Sequence, residues 1–291
     1  MFPKLNNSPN KKFAKACSHG IVPVVEKYLN HIDPSVNSNK AIRRASLFNH
    51  SQIINMLMDD NRVDVSDKNN TVLRNLCHNL NFECLYKLLK GHMNKVDPTV
   101  NFNIAIRYAS FYGQTKIVRL LLTDKRVNPS DLDDYALIHA SKNGYVDVVK
   151  LLTKKRNVIA NYNQKSLLCA FENNNFDVFE ILLRKINIKL SLAAKLLEEA
   201  SMRQYVEIIS MLIIYIWNKS ESKSMKYSDN IEKIYPIRSV TKAIFYAILH
   251  KNNNIKEIIT SNNGYLKYKE HIFEMMPIVK EEYINNFKNH K

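Results

Sequence analysis

The residues that catalyse reactions or bind metals are present in this 291-residue chain, but they do not form a catalytic or metal-binding pattern. The nine histidines occur singly, without the HExxH pair that binds zinc, and no GxSxG turn presents a serine nucleophile. With five glycines, the chain has neither a GxGxxG nor a GxxxxGK[ST] loop for nucleotide phosphates. The sequence therefore predicts no enzyme, no cofactor and no metal site.

Two smaller groups of ligand-type residues also favour structural roles. Cys77 and Cys84 stand seven residues apart without a CxxC motif, so the four cysteines indicate reduced thiols in an intracellular protein, cytoplasmic or nuclear. The run from Asp131 to Asp134 offers carboxylates that calcium prefers, but it lacks the glycine and the distal glutamate of an EF-hand loop. We expect Asp134 to cap a helix instead.

The element that positions most residues is a repeat, which we define by an alanine-type anchor. The anchors are Ala16, Ala45, Leu76, Ala109, Ala140, Ala170, Ala200 and Ala247. Their spacing is 29 to 33 residues, except for 47 before the last. The positions three before, eight after and twelve after the anchor are apolar in all eight copies, which is the signature of a repeat protein.

One copy, residues 101–132, shows the expected local structure. Asn103, six before the anchor Ala109, should cap a short helix, and Gly113 should end it in the left-handed conformation. A second helix follows, and Pro129 then forces an extended or turning connector. The cap position is occupied in the first five copies by Asn10, Asn39, Asn70, Asn103 and Asp134.

These motifs resemble the ankyrin repeat over roughly residues 10–262. Ala109-Ser110-x-x-Gly113 and Val148-Val149-Lys150-Leu151-Leu152 are similar to that family's Ala-Ala-x-x-Gly and Val-Val-x-Leu-Leu, although Asn103-Ile104-Ala105-Ile106 replaces its Thr-Pro-Leu-His. The resemblance implies an all-α repeat solenoid of about eight helix–turn–helix units with short extended connectors. A tetratricopeptide array would need about 34 residues and two long helices per unit. The Asn- and Lys-rich style is similar to the ankyrin families of amoebal giant viruses, which would place the protein in a host cell.

The spacing also predicts the organisation of the chain. We expect an N-terminal extension (1–9), repeats one to seven (10–217), a flexible Ser-, Lys- and Glu-rich insertion (218–239), the last repeat (240–262) and a C-terminal helical cap (263–291). The most apolar stretch, Tyr205–Trp217, is shorter than the roughly 20 residues that span a bilayer. We therefore expect no membrane segment. We also expect the protein to be a monomer.

Charge and helix geometry point to a binding face. The chain carries 43 Lys and Arg against 27 Asp and Glu, a net charge of +16. This charge would favour an acidic partner or nucleic acid. Alternatively, the Asn- and Lys-rich composition reflects an AT-rich genome. Positions two before and two after the anchor lie about 160° from it, opposite the buried stripe. In the ankyrin family this side lines a concave groove. The resemblance implies a basic–aromatic concave face made of Arg43, Arg44, Leu47, Phe48, Arg74, His78, Arg107, Tyr108, Phe111, Tyr112, His139 and Lys142.

The resemblance implies a non-enzymatic protein–protein interaction scaffold whose partner is acidic at one end of the groove, because Glu172, Glu198 and Glu199 turn the other end acidic. The same face would suit an RNA- or DNA-binding helical repeat. A faint F-box-like C-terminal segment leaves open a substrate adaptor for a ubiquitin ligase. Alternatively, the aromatic residues pack against connectors and the arginines are only solvated.

Overall fold

The computed structural model describes residues 9–154, 164–222, 239–246, 253–260, 276–277 and 279–281. These residues form α-helices joined by turns, and they contain no strand. The contacts divide the chain into two compact units, Met1–Ser166 and Leu167–Lys291. The predicted class, an all-α repeat solenoid, is confirmed.

In the first unit, each repeat contributes a first helix and a second helix. The first helices are α1 (Pro9–His19), α3 (Val36–Leu47), α5 (Asp67–His78), α7 (Val100–Phe111) and α9 (Asp131–Lys142). The second helices are α2 (Val22–Leu29), α4 (Ser51–Met58), α6 (Phe82–His92), α8 (Thr115–Leu121) and α10 (Val146–Leu152). Each first helix packs against the first helix of the next repeat, and the second helices do the same.

The repeat columns form the core because their side chains face the neighbouring helices. The seven described anchors, from Ala16 to Ala200, are all buried. Three residues earlier, Phe13 begins an equally buried column. In the first repeat Val24 and Tyr28 are only half-buried, whereas their counterparts from Ile53 to Ile208 and from Leu57 to Ile259 are buried. The eighth anchor, Ala247, lies outside the described residues.

Each described first helix ends in the same way. The residue four after the anchor has a positive φ, as at Gly113 (+68°), and the next N–H donates to the carbonyl of the anchor, as Gln114 does to Ala109 at 2.7 Å. The predicted left-handed cap at Gly113 is confirmed. A Cβ on Gly113 would lie 2.8 Å from the Tyr145 ring, so the close packing also requires glycine there. Non-glycine residues adopt this conformation at Asn49, Leu80, Asn174 and Gln204.

The predicted helix caps are wrong. In α3, α5, α7 and α9 the residue six before the anchor lies inside the helix, as the last of three consecutive left-handed residues. These left-handed turns comprise residues 37–39, 68–70, 101–103 and 132–134. None of the four side chains caps its own helix. In the first repeat Asn10 is exposed within α1.

The buried asparagines of the left-handed turns instead link adjacent repeats. Asn39 Oδ1 accepts the backbone N–H of Asp64 at 2.8 Å, and its Nδ2 donates to Asp67 at 2.9 Å. Asn103 repeats both bonds with Asn128 and Asp131, at 3.0 and 2.6 Å. An amide can donate and accept at once, so one buried side chain satisfies polar groups of two repeats.

The connectors carry a second type of link between repeats. Arg62 forms an ion pair with Asp60 and donates to the carbonyls of Leu29 and Ile32 in the preceding repeat. Arg126 does the same from its ion pair with Asp124, at 3.0 Å from Met93 O and 3.2 Å from Val96 O. The planar guanidinium can serve two carbonyls and a carboxylate together.

The described helices of the second unit, with the last residues of the first, are α11 (Gln164–Glu172), α12 (Phe176–Lys185), α13 (Leu190–Arg203), α14 (Val206–Ser222), α15 (residues 239–246) and α16 (Asn253–Thr260). Helix α14 packs against α12, α13 and α16. Among the helices that the structure describes, none is long and apolar enough to cross a membrane. Most of the predicted insertion (223–238) and most of the predicted C-terminal cap lie outside the described residues.

Candidate binding surface on the first helices

Six ring side chains make a continuous series of contacts across three successive repeats. We call this series the aromatic strip, and it consists of His78, Tyr108, Phe111, Tyr112, Tyr135 and His139. His78 of α5 meets Tyr108 of α7 edge to face, with ring centroids 5.8 Å apart. Phe111 of α7 then meets His139 of α9 at 5.0 Å. Five of these residues belong to the predicted face, and the structure brings them together.

The strip remains accessible because its members lie on the outer side of the first helices. Tyr112 is 39% exposed, His78 is exposed, and Phe111 is half-buried between its two neighbours. Tyr135 and His139 stack at 4.0 Å, one helical turn apart. Rings that support one another in this way lose little conformational entropy on binding, because few rotamers remain open to them.

The predicted arginines at the position two before the anchor hold the left-handed turns. Arg107 donates from Nε to Phe102 O at 2.8 Å and from Nη2 to Asn101 O at 2.9 Å. Arg43 makes the equivalent bonds to Ser38 O and Asn37 O. These carbonyls face away from the regular helix ladder, and the guanidinium satisfies them.

Arg74 follows the same plan less completely, since only its Nη2 donates, to Lys68 O at 3.3 Å and to Thr71 Oγ1 at 3.2 Å. Its Nε is buried and lacks a hydrogen-bond partner among the described residues. The three arginines therefore have an internal structural role. Their role in partner binding stays a prediction.

The right-handed parts of the first helices are uniformly basic. Residues 40–47, 71–78, 104–111 and 135–142 carry six Lys or Arg and no Asp or Glu. Asp134, the residue directly before the segment 135–142, is buried, and burial raises its pKa. Arg107 also lies 5.3 Å from the centre of the Tyr135 ring, within cation–π range. The surface thus combines rings with positive charge; of the neighbouring carboxylates, Asp67 has its pKa lowered by a hydrogen bond from Asn39 and also by the charge of Arg43.

One ring of the strip is titratable with a shifted pKa. Burial lowers the pKa of His139, and the nearby Lys142 ammonium lowers it further. A neutral imidazole at pH 7 is a better stacking surface than a charged one, because it does not have to be stripped of tightly bound water. His139 therefore belongs with the aromatic members of the surface at neutral pH.

The remaining members of the predicted face are not part of the ring contacts, although Lys142 is close enough to His139 to lower its pKa. Arg44, Leu47, Phe48 and Lys142 are exposed, with Leu47 and Phe48 each 49% accessible. The Phe48 ring lies 6.4 Å from the ring of His50 rather than against the strip. They stay predicted contact residues.

In the second unit, the glutamates that were expected to form an acidic end are partly engaged. Glu198 accepts from Ser239 and pairs with Lys242, both on α15, while Glu199 pairs with Arg203. Glu172 is exposed. Pairing with cations reduces the charge that Glu198 and Glu199 can present to a ligand.

Sequence reasoning missed three aromatic residues near this surface. Tyr135 stands four residues before His139, and that helical spacing could have identified it. Phe82, at the start of α6, extends the contacts through Tyr112 at 5.7 Å. Phe102, 67% exposed on a left-handed turn, was missed because Asn103 was interpreted as a helix cap, although its two flanking asparagines favour the left-handed conformation.

Metal and thiol chemistry find no support in the described parts of the chain. No group of three or more His, Cys, Asp or Glu side chains could hold a metal ion there. Cys17 and Cys77 are buried, and burial raises the pKa of each thiol to about 12. A thiol that stays protonated at pH 7 is a poor nucleophile.

The stacked helix pairs, the left-handed helix ends and the links between repeats define a helical repeat protein whose first helices carry an accessible surface. The family model for ankyrin repeats matches residues 106–192, in three copies. Residues 106–192 are therefore similar to ankyrin repeats, which generally serve as protein–protein interaction modules. No curated protein sequence matches this chain significantly.

Proposed function

We propose that this chain is a non-enzymatic scaffold that binds an acidic protein segment on the first helices of repeats two to five. The observation that carries the proposal is the set of four right-handed segments with six cations and no carboxylate, beside the aromatic strip. Aromatic and Arg side chains are the residue types that dominate binding energy at protein interfaces. The positive field would also attract an acidic partner and speed its association.

Charge reversal at the exposed ends of this surface tests the proposal. Arg44→Glu with Lys142→Glu changes two exposed cations without touching the arginines that hold the left-handed turns. Arg119→Glu with Lys150→Glu makes the same change in net charge on exposed positions of α8 and α10. In a pull-down with mass spectrometry from cell extract, the first variant should lose the acidic partner and the control should keep it, with unchanged melting in both. Retention of that partner by the first variant would exclude this surface.

A single-stranded nucleic acid is a second candidate, because rings interleaved with cations can stack bases and track phosphates. Fluorescence anisotropy with a labelled RNA or DNA strand separates the two. Nucleic-acid binding should weaken by about 10³-fold or more between about 50 and 200 mM salt if roughly six phosphates are contacted. Absence of binding at low salt would remove this candidate.

Two narrower proposals rest on less. A substrate adaptor for a ubiquitin ligase would use the C-terminal segment, and a pull-down of ligase subunits with the full chain and with a chain ending at residue 262 tests it. The similarity to ankyrin families of amoebal giant viruses stays a prediction from composition, as do the cytoplasmic or nuclear location and the monomeric state.

A further inference from the structure

The arginines two before the anchor hold their left-handed turns with only one edge of the guanidinium group. We call Arg43 of α3, Arg74 of α5 and Arg107 of α7 the turn arginines. Arg43 and Arg107 each donate from Nε and Nη2 to two backbone carbonyls of the turn, and Arg74 donates from Nη2 alone. No hydrogen bond to another described residue uses Nη1 of any of the three. The edge formed by Nη1 and the second N–H of Nη2 is therefore unused.

The unused Nη1 groups are accessible to solvent. In the described part of the chain, Nε of Arg74 is the one nitrogen of the turn arginines that is both buried and without a hydrogen-bond partner. The Nη1 groups also lack a partner, so their absence from that class means that they are not buried. Each turn arginine is half-buried as a residue. The apolar stem is thus packed, and one end of the charged group is open.

The turn arginines are held in place before any ligand arrives. A free Arg side chain loses considerable rotamer entropy when a ligand fixes it, but a side chain that already bonds to its own backbone loses little. The Tyr135 ring, 5.3 Å from the guanidinium carbon of Arg107, supports that group further. Two parallel N–H groups on the open edge match the two oxygens of a carboxylate.

The described chain does not fill these open edges with its own carboxylates. None of the turn arginines forms an ion pair there. The charge of Arg43 helps to lower the pKa of Asp67, but the oxygens of Asp67 accept hydrogen bonds from Asn39 and from the backbone N–H of Lys68. The open edges can therefore receive carboxylates from outside the chain.

We propose that the open edges of Arg43, Arg74 and Arg107 each bind one carboxylate of the acidic segment, so that Glu or Asp side chains of the partner bind in three successive repeats. This proposal rests on the proposed function and names the atoms that contact the partner. The arginines then have two roles, because the bonds that hold each left-handed turn also keep the open edge in position. Bidentate Arg–carboxylate bonds add geometric selectivity to the attraction of charge.

Substitution by Lys separates this geometry from a general attraction of charge. Lys keeps the positive charge but lacks the two parallel N–H groups. The probe is a labelled polyglutamate peptide of about 12 residues, which reaches about 40 Å when extended. In fluorescence anisotropy with the full chain at constant salt, Arg74→Lys and Arg107→Lys should each weaken its binding about fivefold or more. A polyglutamine peptide should not bind.

Arg126→Lys is the matched control for lost stability. Arg126 also donates to backbone carbonyls of another turn, but it lies on a connector and not on the first helices. This variant should therefore bind the polyglutamate peptide as the unaltered chain does. Melting of each variant shows whether the fold is kept.

NMR signals of the arginine side chains report binding without any substitution. Because Nε of Arg43 and of Arg107 donates to a turn carbonyl, these N–H protons are protected from exchange and should give observable ¹H–¹⁵N signals. The polyglutamate peptide should shift both signals, and the polyglutamine peptide should shift neither. The Nε signal of Arg126, which donates to Asp124, should not move with either peptide.

Three results would overturn the inference. They are no binding of the polyglutamate peptide to the unaltered chain, unchanged Arg43 and Arg107 signals at saturation with that peptide, and full binding by both folded Lys variants. A labelled RNA strand that shifts these signals when the peptide does not would assign the open edges to phosphates and overturn it as well. The charge-reversal pull-down uses Arg44 and Lys142 instead, so it judges the proposed acidic partner separately.

Discussion

The asparagine six residues before the anchor has a different role in the structure from the one that its sequence pattern predicted. Its recurrence suggested a helix cap, and the recurrence is real. Asn39 and Asn103 occupy the same position in their repeats, and each forms hydrogen bonds with residues about 25 to 28 positions later in the chain. A sequence pattern shows that a polar residue is needed but not whether its partner is local or in the next repeat. The cap prediction failed for that reason.

Asp134 occupies this asparagine position in the fifth repeat, and a charge suits it poorly. The side chain is buried, its Oδ1 lacks a partner among the described residues, and burial raises its pKa. We expect Asp134→Asn to stabilise the fold at pH 7 by about 1 kcal/mol, since burial disfavours the charged carboxylate and a hydrogen bond with Ser130 opposes only part of that cost.

The pH dependence of this effect has a definite sign. Because the folded-state pKa of Asp134 lies above its unfolded value, the folded protein takes up a proton first as the pH falls. The advantage of Asn should therefore be full at pH 7 and shrink through the raised pKa. Urea melts of Asp134→Asn at pH 7 and pH 4 measure this, with the exposed Asp133→Asn as control. An advantage that grows on acidification would contradict the assignment.

Leu80 is a second residue whose type conflicts with its backbone. It adopts φ +55° at the position where Gly113 and Asn49 stand in other repeats. A left-handed conformation costs most residues about 1–2 kcal/mol, and Asn much less. Leu80→Asn should raise the free energy of unfolding by about 0.5–1 kcal/mol, measured by thermal melting. The same change at exposed Met202, which lies inside a right-handed helix, should not stabilise.

At the scale of elements, the sequence predicted where the helices pack better than how they begin. The anchors and the apolar residues three before them follow helical spacing, and burial confirms both columns in the described repeats. The position twelve after the anchor is buried from Leu57 onward, but Tyr28 in the first repeat is half-buried. The left-handed cap at Gly113 follows from glycine chemistry. Eight of the twelve residues in the left-handed turns at 37–39, 68–70, 101–103 and 132–134 are Asn or Asp, which tolerate that conformation, but the recurring Asn was interpreted as a helix cap. The arginine bonds that hold these turns were therefore missed, and Tyr135 was missed although its spacing of four residues from His139 pointed to it.

The connector arginines are the element-scale feature with the sharpest test. Arg126 donates to Met93 O, Val96 O and Asp124 through a planar group that Lys cannot imitate. Arg126→Lys keeps the charge but should lower the free energy of unfolding by about 1 kcal/mol, because the site is half-exposed and solvent screens part of the interaction. Arg119→Lys, on the exposed side of α8, should have no effect in the same denaturant titration. Equal stability of the two variants would refute a structural role for the planar guanidinium of Arg126.

At the scale of the molecule, the two compact units give the last prediction. Repeats contact mainly their neighbours, so a set of them can fold without the rest. A chain of residues 1–163 should keep helical circular dichroism and melt cooperatively, because the repeats of the first unit contact mainly one another. Loss of cooperative melting in this fragment would show that the first unit depends on the second.

The links between repeats have a consequence for synthesis on the ribosome. Asn39 Oδ1 accepts a hydrogen bond from a backbone N–H that lies 25 residues later in the chain, and the carbonyl of Ser46 accepts one from Asn79, 33 residues later. A newly synthesised repeat therefore leaves the exit tunnel with hydrogen-bonding groups whose protein partners belong to the next repeat. Translation should advance the ordered part of the chain in discrete steps of one repeat, always one repeat behind the emerging end.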